Sequence, residues 1–289
     1  MIRTYMLTKT NELRARGVDS LNELQKLGEE ANWLWIDCMN PDDQELKVIS
    51  GLLNEAEILN AIRKRQIFSH HKKINGYVLL SIPLIMFEDT LETYPLYVFA
   101  KKKFLITVRS EHSFESINNT LETFRDCLSK VCQYGNASSF VVSRLFHEMT
   151  AENSKSMVAF RELIDRMEEE ALEKPGSKGV TRSVFKLKKV LSNLHRLLWG
   201  EKELMSNIRE GVIPQVELTE EAKMIVDDAV DDINRELEFM NSYYTSLDSI
   251  LTLQDLSLIH RVERLLLVLA VITLLTDFLA IIFLEIVFK

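Results

Sequence analysis

Cysteine is scarce in this sequence. The 289 residues contain three cysteines, Cys38, Cys127 and Cys132, and their spacing matches neither a zinc site nor a redox pair. A small, odd number of thiols is typical of a reduced, intracellular compartment. The opening residues, MIRTYMLTKTNELR, also lack the apolar run of a secretory signal peptide. Both absences argue against a secreted protein stabilised by disulfides.

Catalytic motifs and an excess of positive charge are missing as well. The sequence contains no nucleophile elbow, phosphate-binding loop, dinucleotide fingerprint or zinc-ligand spacing. The adjacent His70 and His71 diverge as neighbours on a strand or helix and cannot easily bind one metal ion together. The formal net charge of −8 and the isoelectric point of about 5.4 argue against a nucleic-acid binder. The sequence therefore predicts neither an enzyme nor a nucleic-acid partner.

The sequence contains one apolar run long enough to cross a membrane, at residues 265–288. The polar residues of this run are Thr273, Thr276, Asp277 and Glu285. A helix of about 20 mostly apolar residues spans a bilayer core. Two arginines before the run and one lysine after it favour a cytoplasmic N-terminal side. We therefore predict a transmembrane helix in the cell (plasma) membrane with the N-terminal bulk in the cytoplasm, and a buried core helix is the alternative.

A long helix is predicted to lead into this segment. No proline follows Pro214 and no glycine follows Gly211, and Thr219 with two glutamates after it has the pattern of a helix N-cap. Apolar residues then recur every three or four positions, which is typical of a helix in a coiled coil or bundle. We predict a stalk helix at 217–264 that continues into the transmembrane helix at 265–288. Because such a helix is unstable alone, we expect neighbouring helices from this chain or from other copies.

The N-terminal region, 1–135, is predicted to be a cytosolic α/β domain. The segments 32–39, 77–87 and 95–108 are β-branched or aromatic runs bounded by turn residues, and the last has the pattern of a two-stranded hairpin. Helical patterns lie between and after them, one with Asn40 as its N-cap.

Helical patterns also fill the rest of the chain before the stalk helix. One covers 113–132, at the end of the α/β domain, and a helical hairpin follows at 138–216. The turn KPGSKG separates the two hairpin helices, and so short a connection implies antiparallel neighbours. The fold class is therefore an α+β membrane protein.

Acidic residues are concentrated at the start of the stalk helix. Residues 217–238 carry nine carboxylates against Lys223 and Arg235. Asp227 and Asp231 lie four residues apart on one helical face, where like charges repel unless a cation relieves them. Hard cations such as Mg2+ prefer oxygen ligands. A cation site is one interpretation, and an ordinary solvated acidic face is the other.

Asp277 is a second candidate for ion chemistry. A carboxylate within a membrane span is unfavourable and tends to face a bundle interior or water. Heptad-like steps place Leu266, Thr273 and Asp277 on one face of the helix. The threonine hydroxyl and the carboxylate would together offer oxygens to a hydrated ion in a pore formed by several chains.

Several stretches, taken with this architecture, resemble the CorA-like magnesium and divalent-cation transporter family. WIDCMNPDDQEL resembles the family's strand followed by a capped helix, and HHKKINGYVLLSIPL and YVFAKKKFLITVRSEH resemble its central strands. YYTSLDSILTLQDLSLIHRVERLLLVLAVITLLT is similar to the stalk helix where it enters the first membrane helix. The resemblance implies a homo-oligomer, a pentamer, that passes Mg2+, with Co2+, Ni2+ and Zn2+ as further candidate ions. It places Leu266, Thr273 and Asp277 in the pore wall.

The resemblance also implies a regulatory cation site. In the family, cytosolic Mg2+ bound between subunits at acidic residues holds the channel closed. By position, the metal-binding candidates in this sequence are Asp227, Asp228 and Asp231, facing Glu88 and Asp89 of a neighbouring copy. The last two belong to the loop FEDTLETYP between two predicted strands.

One family feature is missing from this sequence. Family members end the first membrane helix with Gly-Met-Asn and return through a second one, whereas neither is found at or after residues 284–286. We therefore expect a C-terminally truncated or divergent member. Two functions stay open. One is a Mg2+ channel subunit gated by cytosolic Mg2+, with conduction impaired by the missing selectivity motif. The alternative is a tail-anchored, non-transporting Mg2+-sensing or assembly protein.

Overall fold

The computed structural model describes residues 2–18, 20–54, 62, 69–87, 90–101, 103–134 and 136–287. Within these ranges the strands are β1 (Ile2–Leu7), β2 (Leu13–Gly17), β3 (Trp33–Met39), β4 (His70–Ile74), β5 (Tyr77–Phe87), β6 (Leu91–Lys101) and β7 (Phe104–Arg109). The helices are α1 (Leu21–Glu30), α2 (Asp43–Leu53), α3 (Phe114–Asp126), α4 (Leu128–Tyr134), α5 (Ala137–Glu173), α6 (Lys178–Arg209) and α7 (Glu220–Val287). An α/β sheet domain, long helices and one long apolar helix thus follow one another, as the sequence predicts.

The described strands form one mixed sheet in the order β2-β1-β3-β7-β6-β5-β4. Neighbouring strands are antiparallel except β3 and β7, which run parallel. The predicted strands at 32–39, 77–87 and 95–108 are confirmed, the last as a hairpin in which Lys101 pairs with Phe104. The hairpin of β1 and β2 was not predicted, because β2 is an edge strand whose residues are mostly exposed and follow no apolar alternation.

Helices cover both faces of this sheet. On one face, α1 and α2 pack against a core that includes Leu34, Ile36 and Cys38 of β3. On the other face, Phe124 of α3 lies against Trp33, with the ring centroids 5.3 Å apart. Because successive side chains of a strand point to opposite faces, the buried strand β3 contributes to two hydrophobic layers.

The helix boundaries correct two details of the sequence prediction. The N-cap of α2 is Asp42, whose carboxylate accepts hydrogen bonds from the amides of Gln44 and Glu45. The predicted cap at Asn40 is wrong, because Asn40 has a left-handed φ of 44° and precedes the capping box. The helix predicted at 113–132 is interrupted at Cys127, where α3 ends and α4 begins.

The chain divides into two compact units. The first comprises Met1–Phe160 and Ser192–Met240. It contains the sheet domain together with the first part of α5, the last part of α6 and the first part of α7. Fully buried side chains of these helix segments include Phe146, Phe160 and Ile233, so this unit has a hydrophobic core of its own beyond the sheet.

The second unit comprises Arg161–Leu191 and Asn241–Lys289. Gln254 of α7 is 1% exposed, and its amide accepts a hydrogen bond from the Ser177 N–H at 2.8 Å and donates to the Ala171 carbonyl at 3.1 Å. The Lys188 ammonium lies 2.6 Å from the Asp248 carboxylate. These contacts fix the turn between α5 and α6 against α7.

Candidate ion-pathway and regulatory residues

The apolar end of α7 is a candidate membrane span. Its most apolar 18-residue window has a mean hydropathy of 2.8, and none of that window is buried. Large hydrophobic side chains from Leu256 to Phe283 are exposed, for example Leu274 at 72%. The alternative of a buried core helix is wrong for this chain, because a core helix would be covered by other residues. A lipid bilayer is the environment in which such a surface is stable.

The three predicted pore-lining residues lie on this exposed segment. Leu266, Thr273 and Asp277 are all exposed on α7. The Thr273 hydroxyl donates to the Leu269 carbonyl of its own helix at 2.9 Å, which leaves its oxygen able to accept a further hydrogen bond. Within the described residues, no hydrogen bond or ion pair engages the Asp277 carboxylate. The seven- and four-residue steps between the three keep them on one side of the helix.

The predicted metal-binding aspartates of α7 have different surroundings. Asp227 is half-buried, and its carboxylate accepts a hydrogen bond from the Arg209 guanidinium at 2.9 Å. Asp228 and Asp231 are exposed. Among the described residues no group of three or more His, Cys, Asp or Glu side chains is arranged to hold a metal ion. A single chain therefore does not bring these three aspartates together into one site.

Basic side chains compensate part of the acidic helix face. Besides the ion pair between Arg209 and Asp227, Lys223 lies 2.7 Å from Glu220. Arg235 pairs with Asp232. Sequence reasoning identified the carboxylates but missed Arg209, because the turn between α6 and α7 brings it alongside Asp227 and no helical spacing connects the two. Asp228 and Asp231 are left as the exposed acidic positions among the three candidates.

Glu88 and Asp89, the other two metal-binding candidates, lie outside the described residues. The strands on either side of them are well defined. Phe87 ends β5, is 5% exposed and packs edge-on against Phe160, with ring centroids 5.2 Å apart. Leu91 begins β6 and pairs with Phe87.

A buried polar cluster joins the helices to the sheet, and sequence reasoning did not identify it. Glu201 of α6 is fully buried and accepts a hydrogen bond from the Asn153 amide at 3.0 Å. The same Asn153 side chain accepts from the Ile85 N–H and donates to the Pro83 carbonyl. Burial raises the pKa of Glu201 to about 8, although the hydrogen bonds from Asn153 and Thr150 oppose this rise.

The features described so far define a class of protein: a membrane protein with an α/β domain, a pair of long helices and a further long helix that continues into a candidate membrane span. Within this class the chain belongs to the CorA-like Mg2+ transporter protein family, whose sequence profile matches residues 30–278.

A curated relative gives the same assignment at low identity. The "Cobalt/magnesium transport protein CorA" of Methanocaldococcus jannaschii is 19% identical over 187 residues, which cover 64% of this chain. The matched region spans 58% of that relative's length.

Solved structures share the fold. The complete structure of the CorA magnesium transporter from Methanocaldococcus jannaschii has a TM-score of 0.73 at 16% identity, covering 96% of this chain and 82% of that one. The full-length CmaX protein has a TM-score of 0.69 at 16% identity, with coverages of 93% and 81%. The cytoplasmic domain of ZntB from Vibrio parahaemolyticus has a TM-score of 0.59 at 10% identity, with coverages of 90% and 98%.

Proposed function

We propose that this protein is a subunit of a homo-oligomeric channel, a pentamer, that carries Mg2+ across the plasma membrane and is regulated by cytosolic Mg2+. The observation that carries the proposal is the continuity of α7. One helix of 68 residues begins beside a cluster of carboxylates and ends in an exposed apolar segment that contains Thr273 and Asp277. Its apolar end is long enough to cross a bilayer core, so several parallel copies would line a path through the bilayer.

The first test measures transport directly. Purified protein is reconstituted in liposomes loaded with a Mg2+-sensitive dye, and flux is recorded after addition of external Mg2+, Co2+, Ni2+ or Zn2+. We expect Mg2+ influx, reduced about tenfold or more by Asp277→Leu because a pore-facing carboxylate attracts cations. Thr276→Ala, a neighbouring change off the proposed pore face, is the matched control and is expected to leave the flux unchanged.

The alternative, a membrane-anchored Mg2+-sensing or assembly protein that does not transport, makes the opposite prediction for flux. Under this alternative, liposomes show no Mg2+ influx although millimolar Mg2+ still slows proteolysis of the cytosolic part. Native mass spectrometry of the same sample gives the number of copies, and a monomer in all conditions would contradict both functions.

A further inference from the structure

The sheet domain carries a polar cavity that the proposed ion pathway does not use. It has a volume of about 400 Å³ and lies between the β1–β2 hairpin and α3. The lining residues are Arg3, Tyr5, Ala15, Arg16, Gly17, Asn118, Leu121, Glu122 and Arg125. Ligand pockets in proteins have volumes of about 300–1,000 Å³, so this cavity is large enough for a small metabolite.

The cavity exists because two small residues of β2 lie opposite two large residues of β1. In the β1–β2 pair, Arg3 lies opposite Gly17 and Tyr5 lies opposite Ala15. A Cβ atom added at Gly17 would meet only the Ile2 carbonyl oxygen, at 4.0 Å, and Gly17 has no left-handed φ. The space over β2 is therefore open, and a larger side chain at position 17 would occupy it without backbone strain.

The other wall is one face of α3. Asn118, Leu121, Glu122 and Arg125 are spaced by three and four residues, so they line the same side of the helix. Leu121 is 5% exposed and belongs to the core, whereas Glu122 and Arg125 are exposed. Within the described residues, no hydrogen bond or ion pair engages the side chain of either Glu122 or Arg125. Both are free to contact a ligand.

The charges in the cavity indicate what it binds. The Arg16 guanidinium lies 2.5 Å from the Glu23 carboxylate of α1, so its charge is already compensated. Arg3 lies close enough to Tyr5 to lower the pKa of its hydroxyl, although burial raises that pKa more strongly, and Tyr5 is 6% exposed. Among the described residues, Arg3 and Arg125 are therefore the cationic groups of the cavity without an ion pair, and they belong to two different elements. Guanidinium groups bind phosphate in a bidentate manner, whereas an ionised Glu122 can only accept hydrogen bonds.

We propose that this cavity binds a small phosphorylated polyol, a sugar phosphate or nucleoside monophosphate, with its phosphate on Arg3 and Arg125 and its hydroxyls on Asn118 and Glu122. The carboxylate disfavours a bare phosphate and favours a molecule that brings hydroxyl donors beside its anionic group. The inference does not depend on ion transport, since every lining residue belongs to the first unit.

Calorimetric titration of the purified full-length chain in detergent, in buffer with EDTA, tests this proposal. The probes are ribose 5-phosphate, adenosine monophosphate, inorganic phosphate and ribose. We expect the two phosphorylated ribosides to bind and ribose not to bind. Arg3→Gln and Arg125→Gln should each raise their Kd about tenfold or more, because each removes a charge-assisted hydrogen bond. Glu122→Gln should reduce the preference for ribose 5-phosphate over inorganic phosphate.

Two further variants separate the cavity from general surface charge. Arg14→Gln removes an arginine of the same hairpin that pairs with Glu12 at 2.9 Å outside the cavity, and it should leave the Kd unchanged. Gly17→Leu fills the cavity without changing any charge and should abolish binding, with an unaltered thermal midpoint showing that the chain is folded. Absence of binding, equal binding of inorganic phosphate, or binding that survives Gly17→Leu would each overturn the proposal.

Discussion

At the scale of single residues, the buried carboxylate of Asp37 is accompanied by several polar partners. Asp37 is 1% exposed and accepts hydrogen bonds from the Arg109 guanidinium and the Thr107 hydroxyl. The Thr107 hydroxyl in turn accepts from the indole N–H of Trp35 at 3.0 Å. These residues belong to β3 and β7, the parallel strand pair. Removal of one partner would leave the others buried without a hydrogen bond, and such a loss lowers the free energy of unfolding strongly.

Asp37→Asn tests this network. The substitution leaves the Arg109 guanidinium, whose side chain is 3% exposed, without a counter-charge. We expect the free energy of unfolding to fall by about 3–5 kcal/mol, measured by urea denaturation of the purified chain. The control is the double variant Asp37→Leu with Arg109→Met, which removes both charges and should be much closer to wild type. Equal losses in the single and double variants would show that the network is not electrostatic in origin.

Glu201 predicts a pH dependence of stability. In the folded chain its pKa is about 8, whereas the ordinary value is 4.5, so folding takes up a proton between these pH values. The contribution of Glu201 to stability is therefore complete below pH 4.5 and is lost as the pH rises towards 8. The expected slope is about 1.4 kcal/mol per pH unit within this window.

The measurement compares wild type with Glu201→Gln by urea denaturation at several values between pH 5 and pH 8. Glutamine keeps the hydrogen-bond acceptor for Asn153 and cannot ionise, so the difference between the two proteins should grow in favour of the variant as the pH rises. Glu203→Gln, at a nearby exposed position, is the matched control and should follow wild type. A constant difference at all pH values would contradict the assignment.

At the scale of secondary-structure elements, the long helices and central strands could be predicted from the sequence because their periodicity extends over many residues. The predicted N-cap at Thr219 is confirmed, since its hydroxyl accepts from the Ala222 N–H and α7 begins at Glu220. The β1–β2 hairpin could not be predicted, because edge strands need little apolar alternation. The pairing of Arg209 with Asp227 was also beyond prediction, since it depends on how an irregular turn directs the next helix.

The next prediction concerns the turn between α5 and α6, which the side-chain amide of Gln254 stabilises by two hydrogen bonds. Gln254→Ala removes both hydrogen bonds of a buried amide. The Ala171 carbonyl loses this donor, and the Ser177 N–H keeps only its longer hydrogen bond to the Lys174 carbonyl at 3.3 Å. We expect a local loss of about 1–3 kcal/mol, visible as faster hydrogen exchange of residues 171–178. Thr252→Ala is the control, because its exposed hydroxyl donates only to the Asp248 carbonyl of its own helix. Unchanged exchange after Gln254→Ala would mean that apolar packing alone holds the turn.

At the scale of the whole molecule, a single chain exposes two kinds of surface that other molecules or ions would stabilise. The apolar end of α7 is exposed, and the exposed Asp228 and Asp231 have no metal cluster around them within the described residues. Both conditions are relieved if copies of the chain associate in a bilayer and bind cations between them. Membership of the CorA-like Mg2+ transporter family supports this interpretation.

The competition between Arg209 and Mg2+ for Asp227 gives the final prediction. If Asp227 and Asp231 bind Mg2+ between copies, the guanidinium that lies 2.9 Å from Asp227 must be displaced, because both cations need the same oxygens. Arg209→Gln should then lower the Mg2+ concentration that gives half-maximal protection from limited proteolysis. The double variant Asp227→Asn with Asp231→Asn should abolish the protection. The control is Arg182→Gln, which removes a basic residue near the start of α6, far in sequence from Arg209. Protection that is unaffected by Arg209→Gln and by the double variant would place the cation elsewhere, and the proposed regulatory site would be wrong even if transport is observed.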